Sequence, residues 1–428
     1  MLFLASSPTF TITFGPALCH PPAVDGGLFR LKGMSSMQVH WINRLRHTSA
    51  ERKNNRSQWV ILGIGILTAL LLAQTACTPP PPSSPTTAHS VPKKGPLTDG
   101  KFRVGFISTQ TPTTVDVWND QGNQALALME KEFGAIILKR DGVLTPKERE
   151  RAFTALAEEG CNVIIGHGRE FMAEALLIAG SYPNTLFVVT NGDQESSNVT
   201  SLVFELGQAS YLAGAIAAKV SKTGHVGAIG RKGDPESRKI LSAFRNGALK
   251  ANPDIHFSLA YLDDPTDIAK AREATIALID RGSDLVAHDC GAAATGVFEA
   301  VKERNVLVFG AWVDQIKSAP DQVLMSYVAN VPAALADLVW QMKEGKKKGG
   351  IVRLGIKENV VGFVVNEKLK AGRINPEIEG ELNFLMHDIM TAEINVYQSE
   401  SESTEPKIEF FDGDGPTTGP PSSSKPKK

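Results

Sequence analysis

Two α/β lobes in series, each a doubly wound parallel sheet, with a hinge between them, is the fold class that this sequence predicts. Three observations carry it. From Lys101 onward, short apolar runs alternate with segments of helical spacing. The runs are apolar throughout rather than at every second residue, which marks strands covered by helices on both faces. The alternation restarts near Gly224, and the roughly 300 residues from Asp99 to Val396 exceed what one ordinary core supports.

Taken in order, "FRVGFIS" is the first strand. "DQGNQALALMEKEFG" follows with Ala125, Leu128, Met129, Glu132 and Phe133 at helical spacing. "AIILKR" is a strand, "TPKERERAFTALAEEG" a helix, "NVIIGHG" a strand, "EFMAEALLIAGSYP" a helix and "TLFVVTN" a strand. The joint, "FELGQASYLAGAIAAKVSKTG", repeats Leu212, Ile216 and Val220 every four residues, while Ala213, Gly214, Ala217 and Ala218 keep its surface small enough for close helix packing. It reads as a core helix whose position also links the halves. The second half then runs "HVGAIG", a helix over "PESRKILSAFRNGALKANP", "IHFSLAYL", a helix over "DIAKAREATIALIDRG", "DLVAHD", a helix over "GVFEAVKERN", "VLVFGAW" and "QVLMSYV". Ligand in such a build sits between the lobes, at the carboxyl ends of strands.

The boundaries follow from composition. Residues 1–77 are a leader, 78–100 a tether, 101–210 the first lobe, 211–330 the second, 331–396 a segment completing both, and 397–428 a polar tail whose end has the composition of a disordered chain. In the leader, Trp59 to Ala73 is apolar except for Thr68. At about 15 residues, roughly 22 Å as a helix, it is short of a membrane span. Arg44, Arg46, Arg52, Lys53 and Arg56 precede it, and the small residues Thr75 and Ala76 follow, as in a secretory signal. An uncleaved signal anchor is the alternative. Met34 and Met37 are alternative starts. "TPPPPSSPTTAHSVPKKGP" favours extended polyproline and supplies no core.

With 45 basic against 46 acidic residues and a formal net charge of -1, the chain lacks the basic excess of a nucleic-acid binder. Its 4 cysteines make no disulfide framework. Cys161 and Cys290 flank strands as small buried apolar residues. "AHDCG" sets His288, Asp289 and Cys290 side by side, but a thiol nucleophile needs its base across space, so catalysis by this trio is not expected. "GAIGRKGD" matches neither a P-loop nor a dinucleotide fingerprint and reads as a strand-to-helix turn. "DDPTD" lacks EF-hand spacing and reads as a turn and helix cap. No metal or cofactor is implied.

Five segments in one order, "ELGQASYLAGAIAAKVSKTGHVGAIG", "FRNGA", "GVFEAVKERNV", "VFGAWVDQ" and "VLMSYVANVPAAL", resemble the basic membrane protein family of bacterial substrate-binding lipoproteins, the purine nucleoside receptor type. The resemblance covers roughly Phe102 to Val396. It implies a type I periplasmic-binding fold, a small-molecule ligand such as a purine nucleoside or base, and delivery to an ABC permease. Cys77, following the small residues, resembles a lipobox cysteine, which implies a lipid anchor at the extracytoplasmic face of a bacterial membrane. Gln74 departs from the aliphatic residue usual three places before. In the family's first loop a Phe stacks on the base; here that stretch is Thr114, Val115 and Asp116, and Trp118 is the substitute. The family's aspartates at two strand ends are Asn191 and Trp312 here, while Asp314 and Gln315 keep the end of its motif. Carboxylates suit ribose hydroxyls because each accepts two hydrogen bonds, so these replacements point away from an unmodified nucleoside. A wall of Trp118 and Trp312 is the expected platform, filling of core space being the alternative for each. Asp116, Asn119, Arg169, Asn191, Asp193, Asp234, Arg238, Asp289 and Asp314, in loops or at strand ends, are the polar candidates, with a solvated loop as the alternative for each. A sensor that passes closure to a membrane regulator is the second function class.

Overall fold

The computed structural model describes Pro96 and residues 99–111, 117–398 and 408–411, the last as backbone alone. The leader with Cys77, most of the tether, Asp116 and most of the tail lie outside the described residues. Strand β1 (Arg103–Ile107) leads to helix α1 (Val117–Phe133), then β2 (Ile136–Arg140), α2 (Pro146–Glu158), β3 (Val163–Gly166), a 3-10 turn over Arg169–Phe171, α3 (Met172–Ala179), β4 (Leu186–Thr190) and β5 (Val199–Phe204). Joined by β11 (Gly350–Leu354), these strands form a six-stranded, all-parallel sheet in the order β11-β5-β4-β3-β1-β2. The chain continues through α4 (Leu206–Val220), β6 (His225–Arg231), α5 (Pro235–Ala251), β7 (His256–Leu262), α6 (Ile268–Asp280), β8 (Leu285–Asp289), α7 (Ala294–Arg304), β9 (Leu307–Trp312) and β10 (Val323–Ala329). With β12 (Val361–Val365) and β13 (Ile408–Phe411) they make the second sheet, β12-β10-β9-β8-β6-β7-β13, in which only β12 is antiparallel to its neighbour.

Stripped of its late arrivals, each sheet repeats one order: β2-β1-β3-β4-β5 and β7-β6-β8-β9-β10. This is a doubly wound order in which helices cover both faces and the order reverses beside the first strand. The burial of β3, β4 and β8 explains their unbroken apolar runs. Strand β5 escaped the pattern because "VTSLVF" mixes hydroxyls into a fully buried strand. Those hydroxyls are satisfied by backbone: Thr200 Oγ1 donates to the Lys348 carbonyl, 2.5 Å, and Ser201 Oγ to that of Gln194.

Among the described residues the chain passes between the sheets at 204–206, 329–331 and 355–360, the last two around α8 (Val331–Lys343), which packs on α1. The passes are tied together. Glu205 N–H donates to Leu354 O, 2.9 Å, Asn330 N–H to Val360 O, 2.8 Å, and Ile356 N–H to Gln208 Oε1, 2.9 Å. The Glu205 carboxylate gathers Arg353 Nη1 at 2.8 Å, Lys239 Nζ at 3.1 Å and Tyr397 OH at 2.6 Å. Burial raises its pKa, but these partners more than reverse that and hold it below the usual carboxylate range.

The small surface of α4 meets that of α5. A Cβ on Gly214 would lie 1.8 Å from Phe244 O, and one on Gly247 1.9 Å from Tyr211 O, so backbone touches backbone on both sides of the crossing. Asp267 caps α6 through Lys270 N–H, 2.9 Å, and Asp264 closes the turn before it through Thr266, as the reading of "DDPTD" requires.

Candidate functional site

The carboxyl ends of both sheets face one cavity of about 260 Å³. It lies where doubly wound sheets place ligands. From the first lobe, Thr109 follows β1, Gly168 to Glu170 follow β3, Asn191 follows β4, and Trp118 stands in the first turn of α1. From the second, Arg231 ends β6, Asp289 ends β8 and Trp312 ends β9, with Asp234 and Glu236 at the start of α5.

Trp118 is fixed from behind. Its ring stacks on His167 at 4.5 Å and 5°. His167 Nε2 lies 2.9 Å from the Trp118 carbonyl, which can only accept, so Nε2 carries the proton and Nδ1 receives Thr190 Oγ1 at 3.3 Å. Full burial pushes this imidazole down to about 4, so it is neutral. The indole edge then meets Trp312 from the other lobe, ring centroids 5.1 Å apart at 72°.

Trp312 is held by its backbone and by Asp289. Val313 N–H donates to Ala311 O, 2.9 Å, around a Trp312 φ of +69°, a γ-turn of the rare, strained hand. Gln315 pins the turn: its Oε1 accepts Ala311 N–H at 2.8 Å, and its own N–H donates to Ser326 Oγ at 3.1 Å. Trp312 Nε1–H donates to Asp289 Oδ1, 2.9 Å. Asp289, 2% exposed, also takes Arg231 Nη2 at 3.1 Å, and Arg231 Nη1 reaches Asp234 at 2.9 Å. Burial raises the Asp289 pKa, but the Arg231 charge and the Trp312 hydrogen bond outweigh it and keep the group ionised.

Of the polar residues singled out from sequence, Arg169, Asn191, Asp234 and Asp289 line the cavity with Trp118 and Trp312. Asn191, at φ +53°, spends its Oδ1 on Phe204 N–H, 3.3 Å. Asp234 caps α5 through Glu236 N–H and Ser237 N–H. Asp116 aside, which lies outside the described residues, the others fall elsewhere. Asn119 is buried in the first turn of α1, a helix rather than the preceding loop. Asp193 pairs with Arg169 at 2.6 Å on the exposed rim. Arg238 projects from α5 into solvent, and exposed Asp314 accepts Ile316 N–H at 2.9 Å. Sequence reasoning passed over Arg231, Glu236 and Glu170. For Glu236 the Asp234-Pro235 pair was a signal: it starts a helix soon after a strand, which puts the first-turn residues beside the ligand crevice.

His288 and Cys290 also line the cavity and do approach each other, Nδ1 to Sγ 3.8 Å. His288 Nε2–H donates to Gln315 Oε1, 3.1 Å, so Nδ1 receives the thiol proton. Burial lowers the imidazole to about 4 and pushes the thiol well above its usual range. The pair is neutral and holds no thiolate.

The family model of PnrA-like ABC transporter substrate-binding proteins, Bmp, matches residues 111–400. The chain belongs to this family. Basic membrane protein A of Borreliella burgdorferi is 30% identical over 268 residues, 60% of this chain and 76% of that protein. A purine-binding protein of Brucella abortus is 26% identical over 293 residues, 64% and 83% of the two chains. The transcriptional activator protein med of Bacillus subtilis is 27% identical over 253 residues, 58% and 78%. Among solved structures, a solute-binding protein of an ABC transporter system from Aeropyrum pernix superposes with TM-score 0.61 at 18% identity, over 71% of this chain and 94% of that one. A transcriptional activator of the comK gene from Bacillus halodurans superposes at 0.60 and 24% identity, over 68% and 99%. The Bmp chain thus has the periplasmic-binding architecture that its two sheets describe, in a family of substrate-binding proteins rather than enzymes.

Proposed function

We propose that this Bmp-family protein is a membrane-anchored solute receptor, which closes its lobes on a flat small molecule and presents it to an ABC importer. The observation that carries the reading is the meeting of Trp118 and Trp312 from opposite lobes in the lining of the cavity. An aromatic pair divided between lobes rewards a planar guest only when the lobes come together, which is the differential affinity that ligand-driven closure requires. A purine nucleoside or base is the first candidate, supported by the purine-binding relative. The test is native mass spectrometry of protein purified from its host, then calorimetry with nucleosides and free bases. Absence of heat with every purine removes the ligand and leaves the fold untouched. Acylation of Cys77 would place the receptor on the extracytoplasmic face of the membrane. Labelling with palmitate tests this: Cys77→Ser loses label and membrane attachment, and their retention refutes the anchor.

The resemblance to med favours a second reading, in which the closed lobes act on a regulator instead of a permease. Neighbouring genes for a permease and an ATPase argue for import; a neighbouring sensor kinase argues for signalling.

A further inference from the structure

Glu236 stands in the first turn of α5 and lines the cavity. Its Oε1 is fully buried and has no hydrogen-bond partner. The two arginines of the lining are engaged elsewhere, Arg231 with Asp234 and Asp289, Arg169 with Asp193. The Glu236 Oε1 is therefore an acceptor of the lining that neither arginine meets. Resting on the proposed reading of the cleft, we infer that Glu236 is the specificity-determining acceptor, taking paired N–H donors from the edge of a flat, non-anionic nitrogen heterocycle.

The charges around Glu236 set its protonation state. On its own helix lie Lys239, which favours the carboxylate, and Asp234 at the cap, which opposes it. Asp289 on β8 and Glu205 at the first crossing oppose it too. Burial is the largest influence, and the carboxyl is raised to about 7. Arg231 on β6 is neutralised by its two aspartates, His288 is uncharged, and across the cavity Glu170 adds another acid beside the paired Arg169. An anion entering this lining meets repulsion. A ligand edge with two N–H groups instead compensates the carboxylate, so binding expels the Glu236 proton.

The probes are guanosine, whose base edge carries two adjacent N–H donors, adenosine, whose edge carries one donor and one acceptor, and guanosine monophosphate. Calorimetry at pH 6 and pH 8 reads the linkage. For a group that titrates near 7 when free and is ionised when bound, affinity for guanosine rises about tenfold between these pH values. The monophosphate binds more weakly than guanosine. Glu236→Gln abolishes the pH slope, weakens guanosine binding and shifts preference toward adenosine, because an amide pairs with a donor–acceptor edge. Glu236→Asp, which keeps the charge but shortens the reach, weakens binding and retains a slope. Guanosine binding with no slope, unchanged in Glu236→Gln, overturns this inference and leaves the receptor reading intact. Adenosine binding that weakens with pH while guanosine fails to bind also overturns it. If neither nucleoside binds at either pH, the purine reading falls as well.

Discussion

At position 312 a tryptophan occupies a backbone conformation, φ +69°, that favours glycine or asparagine. Such strain costs on the order of 1–3 kcal/mol and persists where the surroundings over-determine it. Here they do: the Gln315 clamp fixes the turn, and Asp289 fixes the ring. Two substitutions separate ring from backbone. Trp312→Ala removes the ring and keeps the strain; Trp312→Gly removes the ring and relaxes the turn. Both should weaken an aromatic ligand by about 1–3 kcal/mol, the scale of base-on-aromatic stacking. The Gly variant should nonetheless be more stable than the Ala variant by about 1 kcal/mol, and so melt at the higher temperature. Calorimetric titration and thermal denaturation read the two effects independently, and equal melting temperatures would show that the turn stores no strain. Trp312, Asn191 and Asp289 could be picked from sequence because they end strands, where clefts form. The Asp-Pro pair puts Glu236 beside the crevice, but nothing in "GDPES" reveals that three other acids converge on it from β8, the helix cap and the crossing.

At the level of elements, the α4–α5 crossing was readable and its consequence is sharp. Small residues on a helix with apolar residues every four positions indicated close approach, and Gly214 and Gly247 supply it with backbone contact from each side. A methyl group has nowhere to go, because the atoms in its way are carbonyls of the opposing helix and not flexible side-chain ends. Gly214→Ala and Gly247→Ala should each destabilise by about 1–3 kcal/mol, the usual cost of overpacking. Gly180, just after α3 at φ −62° and with open space where a Cβ would stand, is the control for a substitution that crowds nothing. Chemical denaturation settles the matter: a Gly214→Ala midpoint equal to wild type would mean that the helices slide apart freely. Strand β5 was less readable, because its hydroxyls are buried against carbonyls that the sequence cannot place beside them. Which residues of 331–396 form β11 and β12, and which strands they join, was equally hidden, since strand partnership is a long-range choice that local patterning does not encode.

For the whole molecule, two histidines and two carboxyls, Glu236 and Glu170, lead in setting how stability answers to acid. His167 in one lobe and His288 in the other have folded values near 4 against 6.5 when unfolded. Below pH 6.5 the unfolded chain binds protons that the folded chain refuses, so the stability fully present above 6.5 is lost as pH falls toward 4. Glu236 works in the opposite sense: folded near 7 and unfolded near 4.5, it holds a proton in the native state and favours folding at lower pH within the same window. Glu170, which burial also raises, adds to Glu236 in the same sense, so between pH 4.5 and 6.5 the two histidines outweigh the carboxyls by less than one proton, a loss on acidification below about 1.4 kcal/mol per pH unit. Melting temperature should therefore fall from pH 6.5 to 4.5 in the wild type. It should fall more steeply in Glu236→Gln, where the opposing proton is gone. His167→Gln should start lower, having lost the stack under Trp118, yet respond more shallowly. The contrast depends on both histidines being sealed. His167 lies beneath a tryptophan that meets the other lobe, and His288 lies behind the Gln315 clamp. If the wild-type melting temperature stayed flat over this range while the variants matched it, both imidazoles would be hydrated in solution, and the closed packing of Trp118 against Trp312 would not be the resting state of the protein.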